Sequence, residues 1–303
     1  MVGWGAPKDM TAPPEVIAIF GPTASGKSAV AELVATRLGT EVVSADALQV
    51  YRGLPILTNQ RTSSTRLVAF KDLTDEMSVG AFATLAHRAV DELVETTGAA
   101  VVAGGTGLYL RATLVNLSIP MPPPEGERAR VEARYDADPP AAHARLAQLD
   151  PRAGAVVHPN DRRRVVRALE LAEAGSSLVP ERDRLWSHEL RRPALVVGLA
   201  LPRDVLDQRI RARTEEMFSR GVVEEVHRAC RRPVSRTAQK ALGLNELAEL
   251  PADQAFERIV VRTRRYAAYQ RKWMRRIPGI VMIDGDRNPT EVADAILEVA
   301  GAR

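Results

Sequence analysis

The sequence predicts an α/β fold, namely a P-loop doubly wound parallel sheet with helices on both faces and an inserted helical domain. Short apolar, β-branched runs alternate with helical patterns, which is typical of parallel strands joined by crossover helices. The first run leads into a glycine-rich loop, "GPTASGKS" (21–28), and one proline-rich stretch interrupts the alternation. Together these three observations predict the architecture.

Five runs are predicted to form short, buried strands, because each is apolar and rich in β-branched residues. They are "EVIAIF" (15–20), "TEVVSAD" (40–46), "GAAVVAGG" (98–105), "ALVVGLALP" (194–202) and "GIVMIDG" (279–285). A helical pattern follows the first run and stops at Gly39. Functional groups belong at the carboxyl ends of parallel strands, where the candidates are the glycine loop, Asp46 and the "GGTGLY" turn at 104–109.

The stretch "SIPMPPPEGER" (118–128) breaks the alternation with four prolines. The segment that follows has helical patterns and no convincing strand until Ala194. We therefore predict a helical insertion that acts as a lid or clamp on the sheet. The predicted domains are a catalytic core over 14–116 and 191–302, the helical insertion over 117–190, and a loose leader over 1–13.

Composition limits the classes of function. Of the 303 residues, 45% are apolar, which is enough for a core, yet no apolar run reaches the roughly eighteen residues that span a membrane. The N-terminus lacks the apolar segment of a secretory signal. The single cysteine, Cys230, excludes an internal disulfide and a multi-cysteine zinc site. We expect a cytoplasmic monomer without membrane contact.

Basic residues are clustered, although the net charge is only +4. Seven Lys or Arg and no acidic residue lie within 262–276, where Tyr266, Tyr269 and Trp273 are interleaved, and four arginines lie within 160–170. Aromatic and basic residues together suit stacking on RNA bases and contact with RNA phosphates. The alternative for each run is a solvated basic helix face whose aromatic residues point to the core.

The glycine loop has the spacing and context of a phosphate site, because a strand precedes it and a helix follows it. Backbone N–H groups and the helix N-terminus would face the phosphate. Lys27 would bridge phosphate oxygens, and the Ser28 hydroxyl would bind Mg²⁺. The alternative is a glycine turn without a ligand, which the agreement of spacing and flanks disfavours. The loop specifies phosphate with a metal, but no particular nucleotide.

Two further groups are expected at the same edge of the sheet. Asp46 with Gln49 and Tyr51 would offer a carboxylate, an amide and an aromatic ring to a planar polar group such as a base. The alternative for Asp46 is a helix N-cap. Thr106 lies between glycines in the second turn, where its hydroxyl can meet a ligand. No carboxylate ends that strand, which is evidence against ordinary ATP hydrolysis.

Five motifs in order resemble those of tRNA dimethylallyltransferases, over about residues 15–300. They are "GPTASGKS", "SADALQVYRG", "AGGTGLY", "HPNDRRRVVRALE" and "TRRYAAYQRKW". The resemblance implies that the loop holds the diphosphate of dimethylallyl diphosphate, with Mg²⁺, rather than ATP. It implies that N6 of an adenosine beside the anticodon of a tRNA attacks C1 of the dimethylallyl group and that diphosphate leaves.

The resemblance also implies roles for single residues. Asp46 corresponds to the general base, Thr23 to a residue at the diphosphate end of the donor, and Thr106 to a residue near the target adenosine; these three are the expected catalytic residues. The implied donor-binding residues are Gly21, Pro22, Thr23, Ala24, Ser25, Gly26, Lys27 and Ser28. The implied tRNA-binding residues are Asp46, Ala47, Leu48, Gln49, Thr106, Asn160, Asp161, Arg162, Arg163 and Arg164.

The sequence departs from the family pattern at several positions on the RNA side, whereas the phosphate-site motifs are intact. The motifs therefore specify the prenyl donor more closely than the acceptor. Ala47 replaces the usual Ser, and "YAAYQ" (266–270) replaces "YAKRQ", so two basic residues are lost. "GLPILTNQ" (53–60) is similar to plant-type isopentenyltransferases, some of which prenylate free adenine nucleotides. An adenylate isopentenyltransferase is therefore the first alternative. A P-loop kinase or nucleotidase and a non-catalytic RNA-binding protein are alternatives from other classes.

Overall fold

A computed structural model describes residues 13–60, 65–120 and 126–301, and within them six strands form one sheet. Every neighbouring pair of strands is parallel. The strands are β1 (Val16–Phe20), β2 (Val42–Ser44), β3 (Thr65–Arg66), β4 (Ala100–Gly104), β5 (Ala194–Ala200) and β6 (Val281–Asp284). The predicted fold class is confirmed. Only the two-residue β3 was not predicted, because it is too short to show a pattern. The predicted leader lies outside the described residues, apart from residue 13.

The strand order is β3-β2-β4-β1-β5-β6, so the chain leaves β1 toward one edge of the sheet and leaves β4 toward the other. Because parallel crossovers are right-handed, helices that follow steps in opposite directions lie on opposite faces. The helices α1 (Lys27–Arg37) and α12 (Pro289–Val299) share one face, where they pack with Ile17, Ile19 and Val197. The reversal creates a crevice at the carboxyl ends of β1 and β4, where ligands of such sheets bind.

The chain divides into two compact units, of which Leu117–Arg184 is one. Its described residues contain four helices and no strand. The helices are α4 (Glu127–Ala137), α5 (Pro139–Leu149), α6 (Pro151–Val156) and α7 (Arg162–Glu173). Val131, Leu146 and Leu169 form the centre of a separate apolar core in this unit.

The other unit carries the sheet and resumes at Leu185. Its remaining helices are α2 (Val79–Thr97), α3 (Gly107–Leu114), α8 (Arg203–Ser219), α9 (Val222–Ala229), α10 (Leu244–Glu249) and α11 (Ala252–Met274), with a 3₁₀ turn at Ala238–Lys240. In the part of the chain that the structure describes, no helix combines the length and the apolar character needed to cross a membrane.

Residues 185–190 belong to the sheet unit, whereas the sequence pattern put the boundary at 190 because the next strand begins at Ala194. The reason is a buried arginine on α3. Arg111 Nε donates to the Leu185 carbonyl and Nη2 donates to the Ser187 carbonyl, both at 2.7 Å. No local sequence signal reports a contact across more than seventy residues.

A buried carboxylate holds the loop that follows β2. Glu225 on α9 is 3% exposed and accepts hydrogen bonds from the backbone N–H groups of Ile56 and Leu57, at 2.8–3.1 Å. Leu54 and Leu57 pack into the same apolar cluster as Val222 and Val226. The loop that carries Asp46 and Gln49 is therefore anchored at its far end by charge-assisted bonds.

We predict that Glu225→Ala lowers the free energy of unfolding by about 2–4 kcal/mol, because two backbone N–H groups lose their buried acceptor. Glu225→Gln, which keeps one acceptor oxygen, should cost about half as much. The matched control is Glu224→Ala, since Glu224 is the exposed neighbour on the same helix. Urea denaturation measures all three; an equal loss in the Glu224 and Glu225 variants would contradict this anchoring role.

Candidate functional site

Three loops meet at the carboxyl edge of the sheet, because β2, β4 and β1 are neighbours. Asp46 follows β2, the turn with Thr106 follows β4, and the glycine loop follows β1. The register pairs Phe20 with Gly104 at the last residues of β1 and β4. Gly104 also lets the segment after β2 come close, because a Cβ on Gly104 would lie 2.2 Å from the Ala45 carbonyl oxygen.

The glycine loop has the backbone of an anion site. Gly26 has φ 83° immediately before α1, and Ala24 has φ 63°, an unusual value for a residue with a side chain. Ala24 packs against the apolar cluster of Leu206, Ile210 and Val260, which offsets that strain. The Ser25 hydroxyl is buried and has no hydrogen-bond partner among the described residues. An unsatisfied donor in such a loop fits a phosphate oxygen.

Lys27 follows Gly26 at the start of α1; the residue as a whole is half-buried, and its ammonium group is surrounded by protein atoms. Its Nζ donates to the Pro22 carbonyl at 3.3 Å. Burial lowers the pKa of Lys27 to about 8; the negative charge of Asp46 acts in the opposite direction, and the positive charge of Arg213 adds to the lowering. The site therefore contains a desolvated cation, and a bound anion would restore its usual preference for the charged form.

Arg213 on α8 is a site residue that sequence reasoning missed. Its guanidinium is enclosed, and Nη1 donates to the Thr23 hydroxyl at 3.0 Å. Burial lowers the pKa of this guanidinium, whereas Asp46 and Glu216 act to raise it. The segment "RIRARTEEMF" is an ordinary amphipathic pattern with several arginines. Nothing in it separates Arg213 from its exposed neighbours, because the contact is 190 residues distant along the chain.

Gln270 on α11 joins the two glycine turns. Its Oε1 accepts from the Thr23 backbone N–H, and its Nε2 donates to the Gly105 carbonyl, both at 2.8 Å. The side chain is 3% exposed. A Cβ on Gly105 would lie 2.3 Å from Gln270 Nε2 and 3.4 Å from Lys27 Nζ, so only glycine leaves room for this bridge.

Asp46 does not begin a helix, so its alternative interpretation as a helix cap is wrong. Asp46 precedes a turn at 47–50, and its Oδ1 accepts from the Leu48 N–H at 2.9 Å. This bond fixes one carboxylate oxygen by backbone geometry. The negative charge of Asp46 raises the pKa of Lys27, of Arg213 and of Tyr266. The carboxylate therefore lies close to all three groups.

Thr106 lies at the end of the second turn, and its hydroxyl is 3.4 Å from the Tyr266 hydroxyl. Its side chain caps no backbone N–H of α3. Burial raises the pKa of Tyr266 to about 12, and the charge of Asp46 adds to this rise. Tyr266 therefore remains neutral over the physiological range and can act as a hydrogen-bond donor at the site.

The other residues expected after β2 are arranged differently. Tyr51 is fully buried and its hydroxyl pairs with Thr237, so the aromatic ring at the mouth of the site is Tyr266 instead. Gln49 lies at the site, but its amide donates to the Thr58 and Asn59 carbonyls, and its Oε1 accepts from Ser44. Ala47 and Leu48 pack against apolar clusters. Acceptor contacts by residues 47–49 stay a prediction.

Ser28 lines a small open cleft together with Glu32, one helical turn along α1, and with Ser44 and Asn59. Among the described residues, no group of three or more His, Cys, Asp or Glu side chains is arranged to hold a metal. Mg²⁺ takes few protein ligands and completes its shell with water and phosphate. A single hydroxyl in a phosphate loop therefore fits Mg²⁺ that arrives with a phosphate-bearing ligand.

The predicted segment of residues 160–164 lies at the start of α7 in the helical unit. Asp161 caps this helix by accepting from the Arg164 N–H at 3.1 Å. Arg162 forms a bidentate ion pair with Asp136, at 2.6 and 2.7 Å. Asn160, Arg163 and Arg164 are exposed. The segment therefore presents two exposed guanidinium groups and one that is already paired.

Two family matches cover most of this chain: IPP transferase over residues 49–277, and isopentenyl transferase over residues 14–71. A tRNA dimethylallyltransferase of Kineococcus radiotolerans is 38% identical, and the match covers 94% of this chain and 96% of that one. One of Anaeromyxobacter dehalogenans is 40% identical, with 92% of this chain and 97% of that one covered.

Two solved structures are similar in both fold and sequence. A full-length tRNA isopentenylpyrophosphate transferase from Bacillus halodurans is 30% identical with a TM-score of 0.67, over 95% of this chain and 97% of that one. A eukaryotic dimethylallyltransferase acting on tRNA is 25% identical with a TM-score of 0.76, over 89% of this chain and 73% of that one.

We predict that Gln270→Leu weakens the binding of inorganic diphosphate with Mg²⁺ by 10-fold or more. The Thr23 N–H and the Gly105 carbonyl lose their buried partners, which costs about 1–3 kcal/mol for each group and loosens the loop. The matched control is Gln239→Leu, because the exposed Gln239 amide bonds only to the nearby Val234 carbonyl. Calorimetric titration checks the result; equal affinities in the two variants would show that the bridge does not order the phosphate site.

Proposed function

The chain belongs to the IPP transferase family, whose relatives described above are tRNA dimethylallyltransferases, and we propose that it is itself such an enzyme. In this proposal it transfers the dimethylallyl group of dimethylallyl diphosphate to N6 of the adenosine next to the anticodon in tRNA. One observation carries the proposal. The carboxylate of Asp46, fixed by a turn, lies near two enclosed cations, Lys27 of the glycine loop and Arg213 of α8, which contacts that loop at Thr23.

The donor diphosphate binds in the glycine loop in this proposal. The first N–H groups of α1, the Lys27 ammonium and the Arg213 guanidinium hold the phosphate oxygens, and Thr23 is presented to them by Arg213 and Gln270. These groups stabilise the negative charge that grows on the leaving diphosphate. Ser28 would hold Mg²⁺, which supplies further positive charge to that leaving group when bound.

The acceptor lies on the opposite side of the donor carbon, near Asp46 and Thr106. N6 of adenosine is a weak nucleophile, because its lone pair is delocalised into the ring. As N6 bonds to C1, the C1–O bond breaks and the electron pair leaves with diphosphate. The N6 proton passes to the free oxygen of Asp46, while Oδ1 stays bonded to the Leu48 N–H. Thr106 and Tyr266 supply hydroxyls beside the base.

The tRNA needs a larger surface than the site itself offers. We propose that Asn160, Asp161, Arg163 and Arg164 contact its backbone, and that Arg162 does so only if it leaves Asp136. Exposed guanidinium groups at a helix N-terminus suit phosphate contacts. We also propose that the chain acts as a monomer. A cytoplasmic location agrees with an acceptor of this kind.

In the decisive assay, the protein is incubated with dimethylallyl diphosphate and either unmodified bulk tRNA or AMP. The products are analysed by mass spectrometry. We expect the mass of one dimethylallyl group on adenosine in tRNA, and none on AMP. Without the donor, ATP should not be hydrolysed. Product on AMP alone would make the chain an adenylate prenyltransferase, and ATP hydrolysis with tighter ATP binding would make it a nucleotidase.

We predict that Asp46→Asn lowers the single-turnover rate of prenylation by roughly 10²–10⁴-fold, the usual effect of removing a general base. Asparagine retains an oxygen for the Leu48 N–H, so the turn should keep its shape. Affinities for donor and tRNA should remain within a few-fold, because the lost interaction belongs to the transition state. Asp46→Ala should be at least as slow.

The outcome separates proton transfer from a structural role of the turn. If Asp46 only orders the turn, Asn should support a near wild-type rate and Ala should lower the melting temperature. A near wild-type rate in Asp46→Asn, with an unchanged melting temperature, would therefore remove the general-base assignment. That result would not affect the assignment of the glycine loop, Lys27 and Arg213 to the donor site.

A further inference from the structure

Four aromatic side chains form a continuous series that begins at the catalytic edge; we call them the aromatic ladder: Tyr266, Tyr269, Trp273 and Trp186. The ring centroids of Tyr266 and Tyr269 are 6.4 Å apart at 26°, and those of Tyr269 and Trp273 are 6.4 Å apart at 71°. Trp273 and Trp186 follow at 4.8 Å. Consecutive rings are within the range of aromatic contact or close to it.

Two rings of the ladder, those of Tyr266 and Trp273, contact the turn that carries Thr106. Tyr266 meets the Thr106 hydroxyl, and Trp273 packs on the first residue of α3, where a Cβ on Gly107 would lie 2.3 Å from the ring. The spacing of Tyr266, Gln270 and Trp273 along α11 is that of one helix face. That face is therefore clamped to the two glycine turns, and the rings it carries have fixed positions.

The ladder reaches the surface at its second ring, Tyr269, and its surroundings there are basic. Tyr269 is 54% exposed and is the only aromatic residue among the large exposed apolar side chains of the described chain. Arg265 and Lys272 share its helix face at i−4 and i+3, and both are exposed. The Arg276 guanidinium lies over the Trp186 ring, 3.9 Å from its centroid. An exposed ring with cations on both sides presents both stacking area and positive charge.

We propose that Tyr269, supported by Trp273, is a stacking platform for a nucleobase adjacent to the target adenosine, and that Arg265 and Lys272 hold the phosphates on either side. The inference rests on the proposed function and adds a base contact to it. An adenosine that enters the site must leave its stack, so its neighbour loses a stacking partner. An exposed tyrosine ring beside the entrance can replace that partner, because every base has a face that stacks.

The chemistry favours a base over an apolar partner. Among the described residues, Tyr269 is the one aromatic side chain that is exposed. The rings it contacts, Tyr266 and Trp273, are partly buried, and its exposed neighbours on the same helix face, Arg265 and Lys272, are cations. An apolar groove for a protein helix or a lipid would need a contiguous apolar patch. A site for a phosphate alone would need the cations but would not need the exposed aromatic ring. The combination of a flat π face and flanking positive charge is that of a single-stranded nucleic-acid site.

The test uses an anticodon stem-loop RNA that carries 2-aminopurine on either side of the target adenosine, titrated with wild type, Tyr269→Ala, Tyr269→Leu and Tyr269→Phe. We expect quenching of one of the two fluorophores by wild type and Tyr269→Phe, and little quenching by the other two. Loss of one base stack should raise the Kd of the stem-loop about 5- to 100-fold in Tyr269→Ala and Tyr269→Leu. The phenylalanine variant should remain within about 2-fold.

Salt dependence separates stacking from a phosphate contact. The slope of log Kd against log salt should be the same for Tyr269→Ala and wild type, whereas Lys272→Ala should lower it by about one unit. The matched control is Val261→Ala, since Val261 is exposed on the same helix at 43%. Affinity for inorganic diphosphate should not change in any of these variants.

The outcomes distinguish this inference from the proposed function. If wild type neither binds nor prenylates the stem-loop, both are wrong. If wild type prenylates it and Tyr269→Ala binds as tightly as Val261→Ala, only the platform is wrong. Equal losses in Tyr269→Phe and Tyr269→Ala would assign the effect to the hydroxyl, and equal affinity in Tyr269→Leu and wild type would assign it to apolar area; either result overturns the stacking inference.

Discussion

The geometry of the site depends on the amide of one side chain, Gln270. Backbone pairing between β1 and β4 ends at Phe20 and Gly104, and beyond that point the two loops leave the sheet. The Gln270 amide continues the pairing between the loops, because it accepts from the Thr23 N–H and donates to the Gly105 carbonyl. A buried amide with both ends satisfied is a rigid connector. The glycine loop and the second glycine turn are consequently held in a fixed relative position.

The electrostatics of the site are incomplete without an anion. Lys27 and Arg213 are both enclosed, burial lowers the pKa of each, and Asp46 is the carboxylate that opposes this in both cases. Enclosed cations are costly unless they are paired. With a pKa of about 8, Lys27 is still mostly protonated at neutral pH. In the proposed function, the donor diphosphate would supply the missing negative charge. Its binding would offset the energetic cost of enclosing the cations, which would then stabilise the charge that grows on the leaving group.

Local patterns in the sequence predicted the strands, the glycine loop and the end of α1 near Gly39, because each depends on residues within a few positions. The sequence could not identify Arg213 or the bridge made by Gln270, since their contacts span 165, 190 and 247 residues along the chain. It also misjudged Tyr51, whose position after β2 suggested the mouth of the site, whereas packing turned the ring into the core. Periodicity reports which positions are apolar, but it does not report which distant element packs against them.

The acceptor side combines a proton acceptor with hydroxyls that keep their protons. Because the pKa of Tyr266 is about 12, its hydroxyl stays protonated and can donate a hydrogen bond. Among the described residues, Asp46 is the carboxylate that affects the pKa values of both Tyr266 and Lys27, so in the proposed reaction it is the group placed to take the N6 proton. The same Tyr266 ring begins the ladder that reaches the surface at Tyr269. Base extrusion costs a few kcal/mol, and one stacked neighbour is worth about 1–3 kcal/mol. The free energy of stacking one base on the proposed Tyr269 platform is therefore large enough to offset much of the cost of bringing adenosine to Asp46.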